Sequence, residues 1–373
     1  MSTFIEKMLG KPAGTAATVT PNYIVINDGV SHRAVDEITA VADRDRVWVI
    51  YDHDVPTGTP QGSDRLKKNL MFAKKYGCRY IQAKGVGYQY MLNCVVKPGE
   101  IIIGAGSHGS IFGAIGALGI NVPIPELARI AETGRYSVMV PETVCVSVTG
   151  QLKKGTSVMD AAFTFLKNMA GIEGKVIEFY CPNLTAQEKA VLCSMACMTG
   201  AYTAVVREGE PANAVKFSLD GVEPMIMMPC GSREEQGNAV INPKSALEGT
   251  ALQGGQIGGY TGGTIEELRK AAELIEGKKL ALGFRLTVCP ATAKDYIEAM
   301  EEGIISKFID YGAQISAAGD HSVVTQGAGV MGNGENLLTT GLYTFSGAMG
   351  CEDASIYTGS VESVITASTT KKI

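Results

Sequence analysis

Histidine and aromatic residues are scarce in this 373-residue sequence, which has four histidines, one tryptophan and 7% aromatic residues. It also lacks a basic run interleaved with aromatic side chains, the pattern typical of nucleic-acid-binding surfaces. The formal net charge of -5 further argues against nucleic acid or an anionic membrane as the main partner. Because histidines are so few, each one that stands in a loop is a candidate for chemistry.

Paired cysteine motifs are lacking too. The nine cysteines are scattered, and no two are separated by only two residues. This usage indicates a reducing compartment rather than a disulfide framework. Cys193 and Cys197 have the spacing either of a metal pair on one helical face or of small core side chains. The first residues contain no charged segment followed by an apolar one, so we expect a cytoplasmic protein without a secretion signal.

The remaining composition is that of an ordinary globular protein, with 45% hydrophobic and 19% charged residues. The 45 glycines indicate many tight turns between short elements. Apolar runs of strand length alternate with helical patterns, which predicts an α/β fold with mostly parallel sheets. The length allows several cores, and we predict α/β domains at 1–139, 140–230 and 231–373.

Residues 98–119 combine a predicted buried strand, a Gly-rich bend that carries Ser107 and His108, and a predicted helix of small residues. In α/β proteins, the loop after the carboxyl end of a strand is where ligands bind. The stretch is apolar enough to resemble a membrane span, but His108 and the glycines argue against one. His108 is therefore either functional or a loop residue that is satisfied locally.

The loop at 52–56 follows another predicted strand directly. It contains Asp52, His53 and Asp54, and Pro56 prevents a helix from continuing through it. Two acids flanking a histidine at a strand end are typical of a catalytic loop. The alternative is an Asx turn whose carboxylates cap the next helix.

Two segments of the last third of the chain also have features of binding sites. The Gly-rich run 254–264 precedes a predicted helix that starts at Ile265, and the N-terminus of a helix favours anion binding. Asp320 and His321 form a turn after another predicted strand and place an acid beside a histidine.

Taken in order, these segments resemble the signatures of the aconitase superfamily, most closely those of the large subunit of 3-isopropylmalate dehydratase. The resemblance covers essentially the whole chain, and the matching segments are Asp52, His53 and Pro56, then 104–108, 140–143, 219–224, 261–269 and 340–350. It implies an aconitase-like three-domain α/β/α architecture, with mostly parallel sheets around a central cleft and no swivel domain.

The departures from that family concern its cofactor and its substrate. The family binds a 4Fe-4S cluster through three cysteines, and Tyr260, Asp320 and Val323 stand at the corresponding positions. Cluster iron requires thiolates, so we expect no 4Fe-4S cluster. The arginines that bind substrate carboxylates correspond to Tyr343 and Ala348, so we also expect a substrate other than a di- or tricarboxylate.

The resemblance also assigns roles to side chains of this sequence. We expect His53, oriented by Asp52, to act as acid and base, opposite His108 and Ser107. The residues expected to place the substrate are Asn27, Tyr88, Gln89, Tyr260, Thr261 and Tyr343. The function predicted from these roles is a cluster-free lyase, specifically a hydro-lyase, or an isomerase that acts on a small polar metabolite.

A single divalent metal is the alternative to metal-free acid–base chemistry. Asp320 and His321, together with His53 and His108, form a credible ligand set for Zn, Mn or Fe. In the competing interpretation, Asp320 caps a helix and His321 points into packing. Between a metal site and metal-free acid–base chemistry, we favour the metal-free chemistry.

The expected partners follow from the resemblance to a large subunit. They are a small-molecule substrate and either a separate small subunit carrying the swivel domain or further copies of this chain. Neither nucleic acid nor a membrane is expected. The alternative function is that of a non-catalytic paralogue that binds a ligand or a partner subunit.

Overall fold

A computed structural model describes residues 2–323, 327 and 329–373 of the chain. The strands are β1 (Ala16–Val19), β2 (Tyr23–Asn27), β3 (Val47–Tyr51), β4 (Arg79–Gln82), β5 (Ile101–Gly104), β6 (Leu118–Asn121), β7 (Tyr136–Met139), β8 (Thr143–Thr149), β9 (Val176–Tyr180), β10 (Thr203–Val206), β11 (Val215–Ser218), β12 (Met225–Met227), β13 (Ile241–Pro243), β14 (Gly254–Ile257), β15 (Arg285–Val288), β16 (Gln314–Ile315), β17 (Asn336–Thr339) and β18 (Ser355–Thr358). The helices are α1 (Phe4–Leu9), α2 (Ala34–Glu37), α3 (Pro60–Tyr76), α4 (Gly87–Cys94), α5 (Ile124–Thr133), α6 (Val158–Asn168), α7 (Ala186–Met195), α8 (Gly259–Gly262), α9 (Ile265–Leu274), α10 (Ala293–Glu301), α11 (Ile304–Tyr311) and α12 (Val361–Thr370). Short 3-10 helices span Ser31–Arg33, Gly109–Ile115, Ala196–Thr199, Gln236–Asn238 and Lys244–Leu247. None of the helices within the described ranges has both the length and the apolar character that crossing a membrane requires.

The first sheet has five parallel strands in the order β4-β3-β2-β5-β6. Its inner strands are rich in β-branched residues and almost entirely buried, as expected for a parallel sheet covered on both faces. From β2 the chain continues to β3 and β4 on one side and then returns to β5 on the other. The topological switch point therefore lies between the carboxyl ends of β2 and β5, where sheets of this kind bind ligands. Strands β1 and β7 form a separate antiparallel pair.

The second sheet has four parallel strands in the order β10-β9-β8-β11. Helix α7 packs near it and begins with a capping box, in which Thr185 and Glu188 satisfy each other's backbone N–H groups. Cys193 and Cys197 belong to the apolar core here, and burial raises the pKa of both thiols. Of the two interpretations of this pair, core packing is the one the structure favours.

The third sheet has seven strands in the order β13-β12-β18-β17-β14-β15-β16, all parallel except the pairings of β12. Strand β14 occupies an inner position although its sequence begins with two glycines and was expected to form a loop. A Cβ on Gly255 would lie 3.1 Å from Phe284 and Val364, so glycine favours this close packing. Strand β12 precedes residue 231 yet pairs in this sheet, and the three-domain division remains a prediction.

Candidate active site

Loops from the carboxyl ends of strands in two sheets meet at one small cavity. Those of the first sheet follow β2, β3 and β5, and those of the third sheet follow β14, β16 and β17. The residues that line this inner cavity are Asn27, Val30, His53, Tyr88, Ala105, Gly106, Ser107, His108, Tyr260, Asp320 and Tyr343. Its volume is about 20 Å³, which is room for one water molecule. His53, His108 and Asp320 thus converge, as the sequence predicted.

Asp28, which directly follows β2, holds the backbone of the loop that carries His53. Its Oδ1 accepts hydrogen bonds from the N–H groups of Asp52 at 2.7 Å and His53 at 3.0 Å, and its Oδ2 accepts one from Asp54 at 2.9 Å. The residue is 1% exposed. Burial favours the neutral acid, but the charge of His53 and the three N–H groups outweigh it and lower the pKa of Asp28.

The side chains of Asp52 and His53 form a hydrogen-bonded pair. Asp52 Oδ1 lies 2.6 Å from His53 Nδ1, and Asp52 Oδ2 accepts a hydrogen bond from the N–H of Gly87 at 2.7 Å. Burial alone would lower the pKa of His53, but the carboxylates of Asp52, Asp320 and Asp28 together raise it to about 10. The imidazole is therefore a cation at neutral pH, with Nδ1–H donating to Asp52 and Nε2–H left for other partners.

Asp320 places a free carboxylate oxygen beside this pair. Its backbone N–H donates to the carbonyl oxygen of Asp52 at 2.7 Å, and its Oδ1 accepts a hydrogen bond from the N–H of Ser322 at 3.0 Å. Its Oδ2 lies 3.6 Å from His53 Nε2 and has no hydrogen-bond partner among the described residues, although Asp320 is completely buried. A buried oxygen without a partner is costly, which marks this atom as one that meets a substrate, water or ion.

His108 also lines the inner cavity. Its ring stacks on Tyr260, with centroids 4.0 Å apart and planes at 20°, and its Nδ1 lies 2.9 Å from Ser194 Oγ. Burial lowers the pKa of His108 to about 4, and neighbouring His53 acts in the same direction. At neutral pH the cavity therefore contains one cationic and one neutral imidazole, a division typical of acid–base sites.

Phenols complete the cavity wall. Tyr343 Oη donates a hydrogen bond to Ser107 Oγ at 2.7 Å. Burial raises the pKa of Tyr88, Tyr260 and Tyr343, so all three stay neutral and keep their O–H groups as donors.

Two residues predicted to place the substrate have other contacts instead. Gln89 Nε2 donates to the backbone carbonyl of Tyr260 at 2.8 Å, and Thr261 Oγ1 donates to that of Thr340 at 2.6 Å. Neither residue lines the inner cavity, because Gln89 lies in α4 and Thr261 lies within the buried turn of α8. Both hydrogen bonds connect segments of the chain that surround the inner cavity.

Asp54 organises a turn, as the second interpretation of this loop proposed. Its Oδ2 accepts hydrogen bonds from Thr57 Oγ1 at 2.8 Å and Arg65 Nη2 at 2.9 Å, and its Oδ1 accepts one from the N–H of Gly58 at 3.2 Å. The two interpretations of this loop thus apply to different residues, since Asp54 organises the turn while Asp52 orients His53.

A larger outer cleft of about 570 Å³ adjoins the inner cavity. His53 and Tyr343 line both the cleft and the cavity. Arg33, Arg65 and Arg233 also line the cleft. Sequence reasoning missed these arginines because they come from three separate elements. It missed Asp28 as well, although this residue follows a buried strand and meets the criterion that identified Asp52.

The 4Fe-4S cluster of the family does not fit the donors present. The corresponding side chains of Tyr260, Asp320 and Val323 are a phenol, a carboxylate and an isopropyl group, none of which replaces a thiolate. Among the described residues that line the inner cavity, none is a cysteine.

The donors for a single metal ion differ from the predicted set. Asp28, Asp52 and His53 each place one ligand atom within 4.8 Å of the others, but both carboxylates already accept hydrogen bonds at both oxygens. His321 does not line the inner cavity, because its Nε2 lies 3.0 Å from a carbonyl oxygen of its own loop. Of the predicted ligands, His53, His108 and Asp320 line the inner cavity, and Asp320 Oδ2 lies 3.6 Å from His53 Nε2.

Comparisons with known proteins agree with this architecture. The sequence model of the aconitase family (aconitate hydratase) matches residues 21–213. The 3-isopropylmalate dehydratase large subunit of Pyrococcus horikoshii is 27% identical over 367 residues, covering 96% of this chain and 94% of that protein. The methanogen homoaconitase large subunit of Methanocaldococcus jannaschii is 26% identical, with 96% of each chain covered.

A solved structure shows the same fold. The holo-form of aconitase X from Thermococcus kodakaraensis superposes with a TM-score of 0.58 at 13% identity, covering 98% of this chain and 96% of that one. These findings confirm the predicted superfamily, the mostly parallel α/β fold and the assignment to a lyase or isomerase class of enzymes. With a family model that matches more than half of its residues, the chain belongs to the aconitase family.

Proposed function

We propose that this chain is a hydro-lyase that works without an iron–sulfur cluster and acts on a small polar metabolite other than a di- or tricarboxylate. The observation that carries the proposal is the Asp52–His53 pair, with His53 Nε2 directed toward the inner cavity beside Asp320. A histidine held as a cation at neutral pH is a ready proton donor to a leaving hydroxyl group.

In the proposed dehydration, His53 gives its Nε2 proton to a substrate hydroxyl while the C–O bond breaks. The proton on the adjacent carbon passes to neutral His108, which lines the same cavity as the hydrogen-bonded pair of Ser107 and Tyr343. The electrons of the C–H bond form the new double bond, and water leaves. Hydration is the reverse, with each group in the opposite protonation state.

The sizes of the two cavities support a binding mode in which each holds a different part of the substrate. The inner cavity accepts one water-sized group, whereas the outer cleft of about 570 Å³ has room for a small metabolite. His53 lines both, so we place the hydroxyl that becomes water in the inner cavity and the rest of the substrate in the cleft.

A divalent metal held by His53 Nε2 and Asp320 Oδ2 is the second arrangement that these donors allow, and it would supply Lewis acidity at the same hydroxyl. The proton transfers above need no such ion. We therefore propose the metal-free version.

The test is to purify the protein anaerobically, measure iron, sulfide and divalent metals, and assay hydroxy compounds for formation of an alkene. We expect no stoichiometric iron or sulfide, and loss of activity in His53→Asn and in His53→Gln. The control is Arg44→Gln, which changes an exposed side chain away from both cavities. Stoichiometric iron and sulfide would contradict the cluster-free site, and rapid turnover of citrate or 3-isopropylmalate would contradict the substrate class. Full activity of the His53 variants would contradict the proton donor.

We further propose that the chain acts with a separate small subunit. The support is that the relatives named above are large subunits. Native mass measured on protein isolated gently from its own cells tests this, because a second, smaller chain is expected in the particle. A homo-oligomer would contradict the proposal.

A further inference from the structure

Three arginines reach the outer cleft from separate parts of the fold. Arg33 ends the 3-10 helix after β2, Arg65 lies on α3, and Arg233 lies in the loop after β12. They share this cleft with His53, which lies at its junction with the inner cavity.

These cations are only partly neutralised. Arg65 pairs with Asp54 at 2.9 Å, yet its Nε is buried and has no hydrogen-bond partner among the described residues. Arg33 and Arg233 form no ion pair within the described ranges. The guanidinium of Arg233 lies over aromatic rings instead, 4.8 Å from the ring centre of Phe345 and 5.8 Å from that of Tyr343. Ring faces of this kind hold a guanidinium in place without consuming its charge.

The cleft is thus cationic within an acidic chain. Its lining contains the three arginines and the cation of His53, against the carboxylates of Asp28 and Asp54. Both carboxylates are already engaged, Asp28 by backbone N–H groups and Asp54 by Arg65 and its own turn. The chain as a whole carries a net charge of -5, so this local excess of positive charge is a property of the cleft.

We propose that the outer cleft binds the anionic group of the substrate, a single carboxylate or phosphate, through Arg33, Arg65 and Arg233. This inference rests on the proposed function, since the same molecule must present its hydroxyl to His53. Guanidinium groups match carboxylate and phosphate oxygens in geometry and charge. The guanidinium of Arg233 lies 5.8 Å from the ring centre of Tyr343, and Tyr343 lines both the cleft and the inner cavity.

Calorimetric titration at low ionic strength tests the site without requiring turnover. The two probes are inorganic phosphate and 3-hydroxybutyrate, a monocarboxylate with a hydroxyl two carbons from its acid group. We expect one of them to bind saturably and to bind about tenfold more weakly in each of Arg33→Gln and Arg233→Gln, because a charge-assisted hydrogen bond contributes at least that much. The control is Arg44→Gln, another exposed arginine without an ion pair in the described ranges, and it should bind as the unchanged protein does.

The two probes separate the two sources of the anionic group. Stronger binding of phosphate supports a phosphate ester as the substrate, and stronger binding of 3-hydroxybutyrate supports a monocarboxylate. The inference is overturned if neither probe binds saturably, if Arg33→Gln and Arg233→Gln bind normally, or if Arg44→Gln weakens binding equally. Each outcome is independent of the His53 variants, so failure of the anion site is distinguishable from failure of the proposed chemistry.

Discussion

Replacing Asp28 with asparagine should destabilise the protein by more than an ordinary surface substitution does. The carboxylate accepts three backbone hydrogen bonds, from Asp52, His53 and Asp54, at 2.7, 3.0 and 2.9 Å. An asparagine has one acceptor oxygen, so its NH₂ group must face at least one backbone N–H. The loop that carries His53 then loses a hydrogen bond and retains a buried donor without a partner.

The magnitude follows from these contacts. A hydrogen bond to a charged group contributes about 1.5–3 kcal/mol, and a buried unpaired donor costs about 1–3 kcal/mol. Relief from burying a charge offsets part of this loss. We therefore expect the free energy of unfolding of Asp28→Asn to fall by about 2–4 kcal/mol.

Urea unfolding followed by the fluorescence of Trp48, the single tryptophan and a residue of β3, measures this change. Asp43→Asn is the matched control, because Asp43 also accepts a backbone hydrogen bond but its side chain is 44% exposed, and it should cost less than about 1 kcal/mol. The folded state lowers the pKa of Asp28 below 3.8, so its contribution is present above that pH and is lost as the pH falls through the lowered value. The reasoning would be refuted if the two variants lost equal free energy of unfolding. It would also be refuted if the difference between them persisted in acid.

Two further predictions concern the imidazoles and the packing beneath the cavity. In NMR titrations, His53 should stay protonated until the pH rises toward about 10, and His108 should stay neutral until it falls toward about 4; titration of either near its ordinary value would contradict the assigned charges. Gly104→Ala should cost about 1–3 kcal/mol because its Cβ would overlap Tyr88 Oη, and adding Tyr88→Phe should restore part of that loss. Gly221→Ala, in open space, is the control, and an equal loss there would exclude a specific overlap.

The sequence predicted the fold well where local signals agree with tertiary packing. The buried β-branched run of β5 is such a case. The sequence did not predict strand β14, because glycines favour loops locally whereas here Gly255 packs closely against the side chains of Phe284 and Val364. It did not predict helix α4 either, which carries Tyr88 and Gln89 and begins at a glycine.

The candidate site was predictable to the extent that its residues follow strands. Asp52, His53 and His108 were found in this way, since parallel strands bring their carboxyl ends to one edge. Which atom each side chain contacts was not predictable, as His321 shows by turning to its own loop. The cleft arginines, such as Arg233, were missed because only the folded chain brings their elements together.

Two hydrogen bonds around the inner cavity join residues that are far apart in the chain. Gln89 donates to Tyr260, 171 residues later, and Tyr343 donates to Ser107, 236 residues earlier. During synthesis from the N-terminus, the first sheet can form while the segment that carries Tyr260 and Tyr343 has yet to emerge from the ribosome. Such long-range contacts are slow to form. Until the third sheet has been translated and has docked, Asp52 and His53 lack Tyr260, Asp320 and Tyr343 around the inner cavity, and the site is incomplete.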